Sequence, residues 1–149
     1  MMTKSVLYEK CMQIVDEKIK IAQDAMLAAQ DSANAEGKST AGDKYDTARA
    51  MSHIERDMYA KQLAESLQLK KVLDEIDVTK KSEKIKLGSL VKTSMGNYFL
   101  SAGLGIIKLE EETVFALSPF SPIGNLILGK KIGDSVIFKG QQIEIFHVE

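Results

Sequence analysis

Apolar residues recur at three- and four-residue steps through the first part of the chain, and this spacing predicts a long helix. No glycine or proline occurs from Lys4 to about Ala35. Apolar side chains at this spacing form one face of an amphipathic helix. That face comprises Leu7, Cys11, Ile14, Ala22, Ala25, Ala29 and Ala33. We therefore predict one continuous helix over this segment.

A second helix is predicted to follow and to end at about Ile76. Gly37 can adopt the left-handed conformation that is common just after a helix end. No glycine or proline follows Gly42 in this segment, whose apolar residues are Met51, Ile54, Met58, Leu63, Leu67, Leu69, Val72, Leu73 and Ile76. Two long helices joined by a short turn predict an antiparallel hairpin with its turn at residues 37–40.

The pattern changes in the last third of the chain to short runs in which apolar and polar residues alternate. Such runs, separated by glycine or acidic turns, are typical of β-strands. The predicted strands are Ser89–Thr93, Asn97–Ser101, Leu104–Leu109, Thr113–Leu117, Val136–Lys139 and Gln142–Val148. A short helix over Ile123–Leu128 is predicted as well, because Pro122 favours a helix start and Gly129 a helix end.

These patterns divide the chain into a helical-hairpin domain over residues 1–77 and a β domain over residues 87–149. Residues 78–86 are polar and rich in lysine, which indicates a linker. The predicted fold class is α+β, with a long antiparallel helical hairpin followed by an antiparallel β domain that carries one short helix.

Composition excludes several classes of protein. The net charge of −1 provides no overall attraction to nucleic acid, so any contact with RNA or DNA must be local. No run approaches the roughly 20 apolar residues of a membrane helix, and the chain starts with polar residues rather than an apolar signal core. Cys11, the single cysteine, lies on an apolar helical face, where we assign it to packing. We expect a cytoplasmic protein.

Residues 118–136 alternate turn-forming and apolar residues in an order that chance composition rarely produces. They read Ser-Pro-Phe-Ser-Pro-Ile-Gly-Asn-Leu-Ile-Leu-Gly-Lys-Lys-Ile-Gly-Asp-Ser-Val. This segment resembles the signature Ser-Pro-(apolar)-Gly-x-x-Leu-(apolar)-Gly-x-x-(apolar)-Gly-Asp-x-Val in the C-terminal domain of bacterial Gre-type transcript cleavage factors, elongation factors that bind RNA polymerase. The matching positions are Ser121, Pro122, Gly124, Gly129, Gly133 and Asp134. We interpret them as fold-determining residues, since each suits a turn or a helix end.

The resemblance implies an FKBP-like fold for the C-terminal domain and a coiled coil for the first half. It also implies that RNA polymerase is the partner, with the hairpin tip in the polymerase secondary channel and the C-terminal domain docked on the enzyme. Phe120 and Ile123 are candidates for the docking patch, and packing in the core is the alternative for both. The chain would have no catalytic site of its own, and would at most stimulate the RNA cleavage that polymerase performs.

The hairpin tip departs from the family pattern. In the family, an acidic pair at the tip helps to hold the second Mg²⁺ of the polymerase active site, where a metal-activated water attacks the RNA. When the segments are aligned on Tyr45 and Ala48, the two acidic positions fall on Lys38 and Ala41. Both family carboxylates are therefore absent from this chain.

Asp43 and Asp46 are the remaining candidates for a metal ligand at the tip, and they would act only jointly with polymerase. They lie three residues apart and therefore on one face of a helix. The alternative for Asp43 is a capping box with Thr40, and Asp46 can form a surface ion pair with Arg49. Tyr45, Lys38 and Arg49 complete the set of tip candidates.

Two functions follow from these alternatives. The chain either occupies the secondary channel as a regulator or stimulates cleavage of backtracked RNA, and the missing acidic pair favours the regulator. No cofactor of its own is expected, apart from Mg²⁺ at the polymerase active site. Contact with nascent RNA would be indirect, and a monomer is expected. The alternative from another class is a helical-hairpin module for interaction or oligomerisation, unrelated to transcription.

Overall fold

The computed structural model describes residues 3–36 and 43–149, except for the side chains of residues 36 and 43–46. The predicted turn at residues 37–40, together with Lys38 and Ala41, lies outside the described residues. No described helix is long and apolar enough to cross a membrane.

Two long helices account for the first half of the chain, as predicted. Helix α1 spans Lys4–Glu36 and helix α2 spans Asp43–Asp74. The end of α2 is closed by a tighter turn, because the backbone N–H groups of Glu75 and Ile76 donate to carbonyls only three residues earlier. The predicted helical hairpin and the α+β class are confirmed.

Contacts between residues group the chain into two compact units. One comprises the start of the chain through Met12 together with Leu69–Glu149, and the other comprises Gln13–Gln68. The first unit therefore contains the beginning of α1, the end of α2 and the whole β domain. The second contains the remainder of both helices.

Small buried residues line α1 within the second unit. Val15, Ala22 and Ala29 are buried at seven-residue steps, which is the spacing of a coiled-coil seam. On α2 the positions of reduced exposure include Ser52, Arg56, Tyr59, Leu63 and Ser66. An Arg56 guanidinium N–H donates to the Gln30 side-chain oxygen at 2.9 Å and so links the two helices.

The apolar face predicted for α2 is only partly the buried one. Met51, Ile54 and Met58, three of the apolar residues on which the helix was predicted, are all exposed, Ile54 to 64%. The positions of reduced exposure are instead mainly small or polar residues. Alanine and serine on this face let the two helices approach closely beside the longer Arg56 and Tyr59, and Met51, Ile54 and Met58 are left on the outside.

Six strands form the sheet of the first unit. They are β1 (Leu90–Thr93), β2 (Gly96–Leu100), β3 (Gly105–Leu109), β4 (Glu112–Leu117), β5 (Ser135–Phe138) and β6 (Gln141–Val148). Their order is β3-β4-β2-β1-β6-β5. Helix α3, Pro122–Ile127, lies between β4 and β5 in the chain.

One strand pair differs from the predicted antiparallel sheet. Strands β2 and β4 are parallel, with Tyr98 opposite Phe115, whereas the other pairs are antiparallel. The reason is that β3 occupies the edge position and turns back to pair with β4, so β4 returns beside β2 in the same direction.

The core of the β domain lies between α3 and one face of the sheet. Its buried residues are Ile85, Val91, Tyr98, Leu100, Ile127, Val136, Ile143, Ile145 and Val148. Phe99 and Leu90, which are opposite each other in the β1–β2 register, point to the other face and are also buried. Burial on both faces marks the centre of this sheet.

The segment predicted as a linker is anchored to the β domain. Ile85 is only 1% exposed and belongs to the core. Its N–H donates to the Lys130 carbonyl, and its own carbonyl accepts from the Gly129 N–H, both at 2.7 Å. Lys4 Nζ donates to the Lys80 carbonyl at 2.9 Å. The many lysines of this segment led to its prediction as a linker, although Ile85 is buried and pairs with Gly129 and Lys130 through two backbone hydrogen bonds.

Candidate functional site

Ser121 and Pro122 start helix α3. The Ser121 hydroxyl accepts a hydrogen bond from the Gly124 N–H at 3.2 Å and donates one to the Ser118 carbonyl at 2.6 Å. Pro122 is in the first turn, where its missing N–H costs nothing. This serine-proline pair therefore fixes both where the helix begins and how the chain enters it.

The glycines of the 118–136 segment have steric roles. A Cβ on Gly124 would clash with the Ser118 carbonyl oxygen. Gly129 has a φ of 80°, a conformation that side chains disfavour, just after the helix. Glycine at these two positions is required by the backbone.

Asp134 closes the segment through a local turn. Its carboxylate accepts a hydrogen bond from the Lys131 N–H at 3.0 Å, and its carbonyl accepts one from the Ile145 N–H at 2.9 Å. The Gly133 N–H donates to the Ile145 carbonyl, again at 2.9 Å. The end of the segment is thereby attached to strand β6.

The two docking candidates occupy different environments. Phe120 is 95% exposed, although its N–H is held by the Ser118 hydroxyl at 3.0 Å. Ile123 is half-buried and packs against the core of the β domain. Phe120 therefore has an anchored backbone and a ring with almost no packing role.

The tip candidates are only partly described. Asp43, Tyr45 and Asp46 lie in the first turns of α2, and their side chains are outside the described residues. Arg49 is exposed. Within residues 3–36 and 43–149, no group of three or more His, Cys, Asp or Glu side chains could hold a metal ion. The role of Asp43 and Asp46 at a metal stays a prediction.

A shallow groove was not foreseen on the second unit. It has a volume of about 230 Å³ and is lined by Ala25, Ala28, Ala29, Ser32, Glu55 and Tyr59. Exposed Met51, Ile54 and Met58 belong to the same unit. The groove could not be predicted from the sequence, because its lining brings together residues from both helices that are distant in the chain.

Cys11 is buried, as its position on the apolar face indicates. Burial raises the pKa of its thiol to about 12. Nearby, the Tyr8 hydroxyl donates to the Leu73 carbonyl at 2.9 Å, which joins the start of α1 to the end of α2 within one unit. A protonated, enclosed thiol is a packing group rather than a nucleophile.

Comparisons with known proteins identify no family. No protein-family model matches the chain, and no curated protein matches it. Among solved structures, the chain is similar to one titled "Structure of the transcription factor Gfh1", with 18% sequence identity and a TM-score of 0.35. The match covers 95% of this chain and 92% of that chain. A likeness at this TM-score supports no statement about function.

Proposed function

We propose that the chain is a Gre-type factor that binds RNA polymerase and acts on transcription elongation. The observation that carries this proposal is the combination of two features in one chain. Helices of 33 and 32 residues form a hairpin, and the 118–136 segment of the β domain uses its serine, proline, glycines and aspartate at turns and helix ends. Both features agree with the family resemblance of the sequence.

In the proposed division of labour, the β domain docks on polymerase and the hairpin tip enters the secondary channel. Helix α1 is about 50 Å long at 1.5 Å per residue, which suits a probe that acts far from its docking point. Phe120 is the better supported docking residue, because its ring is exposed while Ile123 packs against the core. The factor would act from the cytoplasm as a monomer.

Within this proposal we favour a regulator that occupies the channel over a factor that stimulates RNA cleavage. Lys38 and Ala41 stand at the two positions where the family carries carboxylates. A lysine or an alanine cannot supply the oxygen ligands that Mg²⁺ requires. Stimulation of cleavage would need Asp43 and Asp46 to take over that role at the polymerase metal.

Co-elution with core RNA polymerase tests the first step, and an assay on stalled elongation complexes tests the second. We expect the purified chain to co-elute with the core enzyme and to alter elongation without adding short cleavage products. Failure of the chain to bind the core enzyme would contradict the proposal. Short RNA products that appear only when the factor is present would show that it stimulates cleavage rather than acting as a regulator.

A second candidate function is a hairpin that associates with other chains and has no role in transcription. The observation that favours it is the exposure of Met51, Ile54 and Met58 on α2, since exposed apolar rows of this kind are common at protein interfaces. Light scattering during size-exclusion chromatography, which measures the oligomeric state, distinguishes this candidate from the Gre-type factor. A concentration-dependent dimer together with no binding to polymerase would favour this candidate.

A further inference from the structure

A cleft in the β domain unit is lined by residues from three parts of the chain. Lys81, Ser82 and Glu83 come from the anchored segment, Lys131 and Ile132 follow helix α3, and Val148 lies near the end of β6. We call it the lysine cleft. Its volume is about 410 Å³, which is within the range of small-molecule sites. A smaller cavity of about 320 Å³ adjoins it and shares Lys81 and Val148.

Positive charge is concentrated around the lysine cleft. The backbone pairing of Ile85 with Gly129 and Lys130 brings residues 78–86 beside residues 129–134. These two stretches together contain six lysines and two acidic residues, whereas the whole chain has a net charge of −1. The anchored segment and the turn after helix α3 therefore carry more lysines than carboxylates, which the net charge of the whole chain does not reveal.

The two lysines that line the cleft are free to bind a ligand. Lys81 and Lys131 are both exposed, and neither forms an ion pair with another residue in the described part of the chain. Glu83 also lines the cleft, so two ammonium groups stand against one carboxylate among the residues of its lining. The Asp134 carboxylate lies nearby and accepts a hydrogen bond from the Lys131 N–H.

Charged groups of both signs act on buried Lys4, which lines the adjoining cavity. Burial is the main cause that lowers the pKa of Lys4, and Glu149 opposes it. Lys86 and Lys81 also lower this pKa, whereas Asp77 raises it, so ammonium and carboxylate groups both lie within electrostatic reach of Lys4.

We propose that the lysine cleft binds the phosphate groups of a ligand of mononucleotide size. Lysine ammonium groups act as point charges with three donors each, which suits a chain of phosphates better than a single planar carboxylate. Ile132 is exposed and Val148 is nearly buried, so they offer an apolar wall to a sugar or base beside the phosphates. This inference does not depend on the binding of RNA polymerase.

Calorimetric titration of the full-length protein at low salt tests the proposal, with ATP, inorganic tripolyphosphate and adenosine as probes. We expect one saturable site for ATP, competition by tripolyphosphate and no binding of adenosine. The variant Lys81→Gln/Lys131→Gln should weaken ATP binding about 100-fold, since each charged hydrogen bond contributes roughly a factor of ten. Lys131→Arg, which keeps the charge, should retain most of the affinity.

The matched control is Lys61→Gln/Lys108→Gln, which removes the same charge at two exposed positions that do not line the cleft. Circular dichroism establishes that all variants are folded. Equal losses in the control and the cleft variant would overturn the proposal, as would binding that does not saturate. A response to a single-stranded RNA decamer with none to ATP or tripolyphosphate would overturn a ligand of mononucleotide size.

Discussion

Gly124 shows how a single residue of the 118–136 segment is determined by its neighbours. It lies one turn into helix α3, where the chain folds back over the Ser118 carbonyl and the Ser121 hydroxyl caps the helix. A side chain at this position has no space, because the obstruction is backbone rather than a flexible side chain.

We predict that Gly124→Ala lowers the free energy of unfolding by about 1–3 kcal/mol, the usual cost of forcing extra atoms into a packed site. Urea denaturation measures it. Gly103→Ala is the matched control, since a Cβ there meets nothing within 4 Å. Equal stability of the two variants would contradict the steric role of Gly124.

Cys11 leads to a prediction about reactivity. With its pKa raised to about 12 by burial, the thiol stays protonated in the folded protein at pH 8. We expect a thiol-specific disulfide reagent to label Cys11 only slowly under native conditions and quickly in urea.

The raised pKa of Cys11 also predicts how stability depends on pH. The thiol keeps its proton in the folded state, whereas in the unfolded state it releases the proton above a pKa of about 8.5. The free energy of unfolding should therefore decrease as the pH rises above about 8.5.

At the scale of elements, the helices could be predicted because a three- and four-residue apolar period over about thirty residues has few competing explanations. The buried face of α2 could not be predicted from the sequence. Whether Ser52 or Ile54 faces α1 depends on how closely the alanines of α1 let the two helices approach. The parallel β2–β4 pair and the anchoring of Ile85 were also missed, since both depend on residues distant in the sequence.

The two faces of the hairpin should respond differently to a buried charge. Ala29 is buried in the seam, whereas Ile54 is exposed. We predict that Ala29→Asp destabilises the helices by about 1–3 kcal/mol, the cost of burying an unpaired polar group, and that Ile54→Asp costs under about 0.5 kcal/mol. Hydrogen exchange along α1 measures the difference. Equal protection in both variants would show that the seam has been assigned to the wrong face.

At the scale of the whole molecule, the turn and cap residues of the candidate site could be predicted because local turn chemistry determines them. The lysine cleft could not, because Lys81 and Lys131 are brought together only by the backbone pairing of Ile85. The proposed function likewise requires two parts of the chain to act together, with docking by the β domain and action by the hairpin tip. Variants in each part should therefore separate binding from effect.

Phe120→Ala is expected to weaken binding to core RNA polymerase at least tenfold, because the proposed docking buries this exposed ring against the enzyme and a buried aromatic anchor contributes strongly to binding. The protein's stability should be unchanged, since the ring is 95% exposed.

The double variant Asp43→Asn/Asp46→Asn removes the charge that a metal would need and keeps hydrogen-bonding capacity at the start of α2. We expect this double variant to bind polymerase normally and to alter elongation as the original chain does, because the proposed regulator acts by occupying the channel. Loss of a cleavage activity in the double variant alone would instead assign the two aspartates to Mg²⁺.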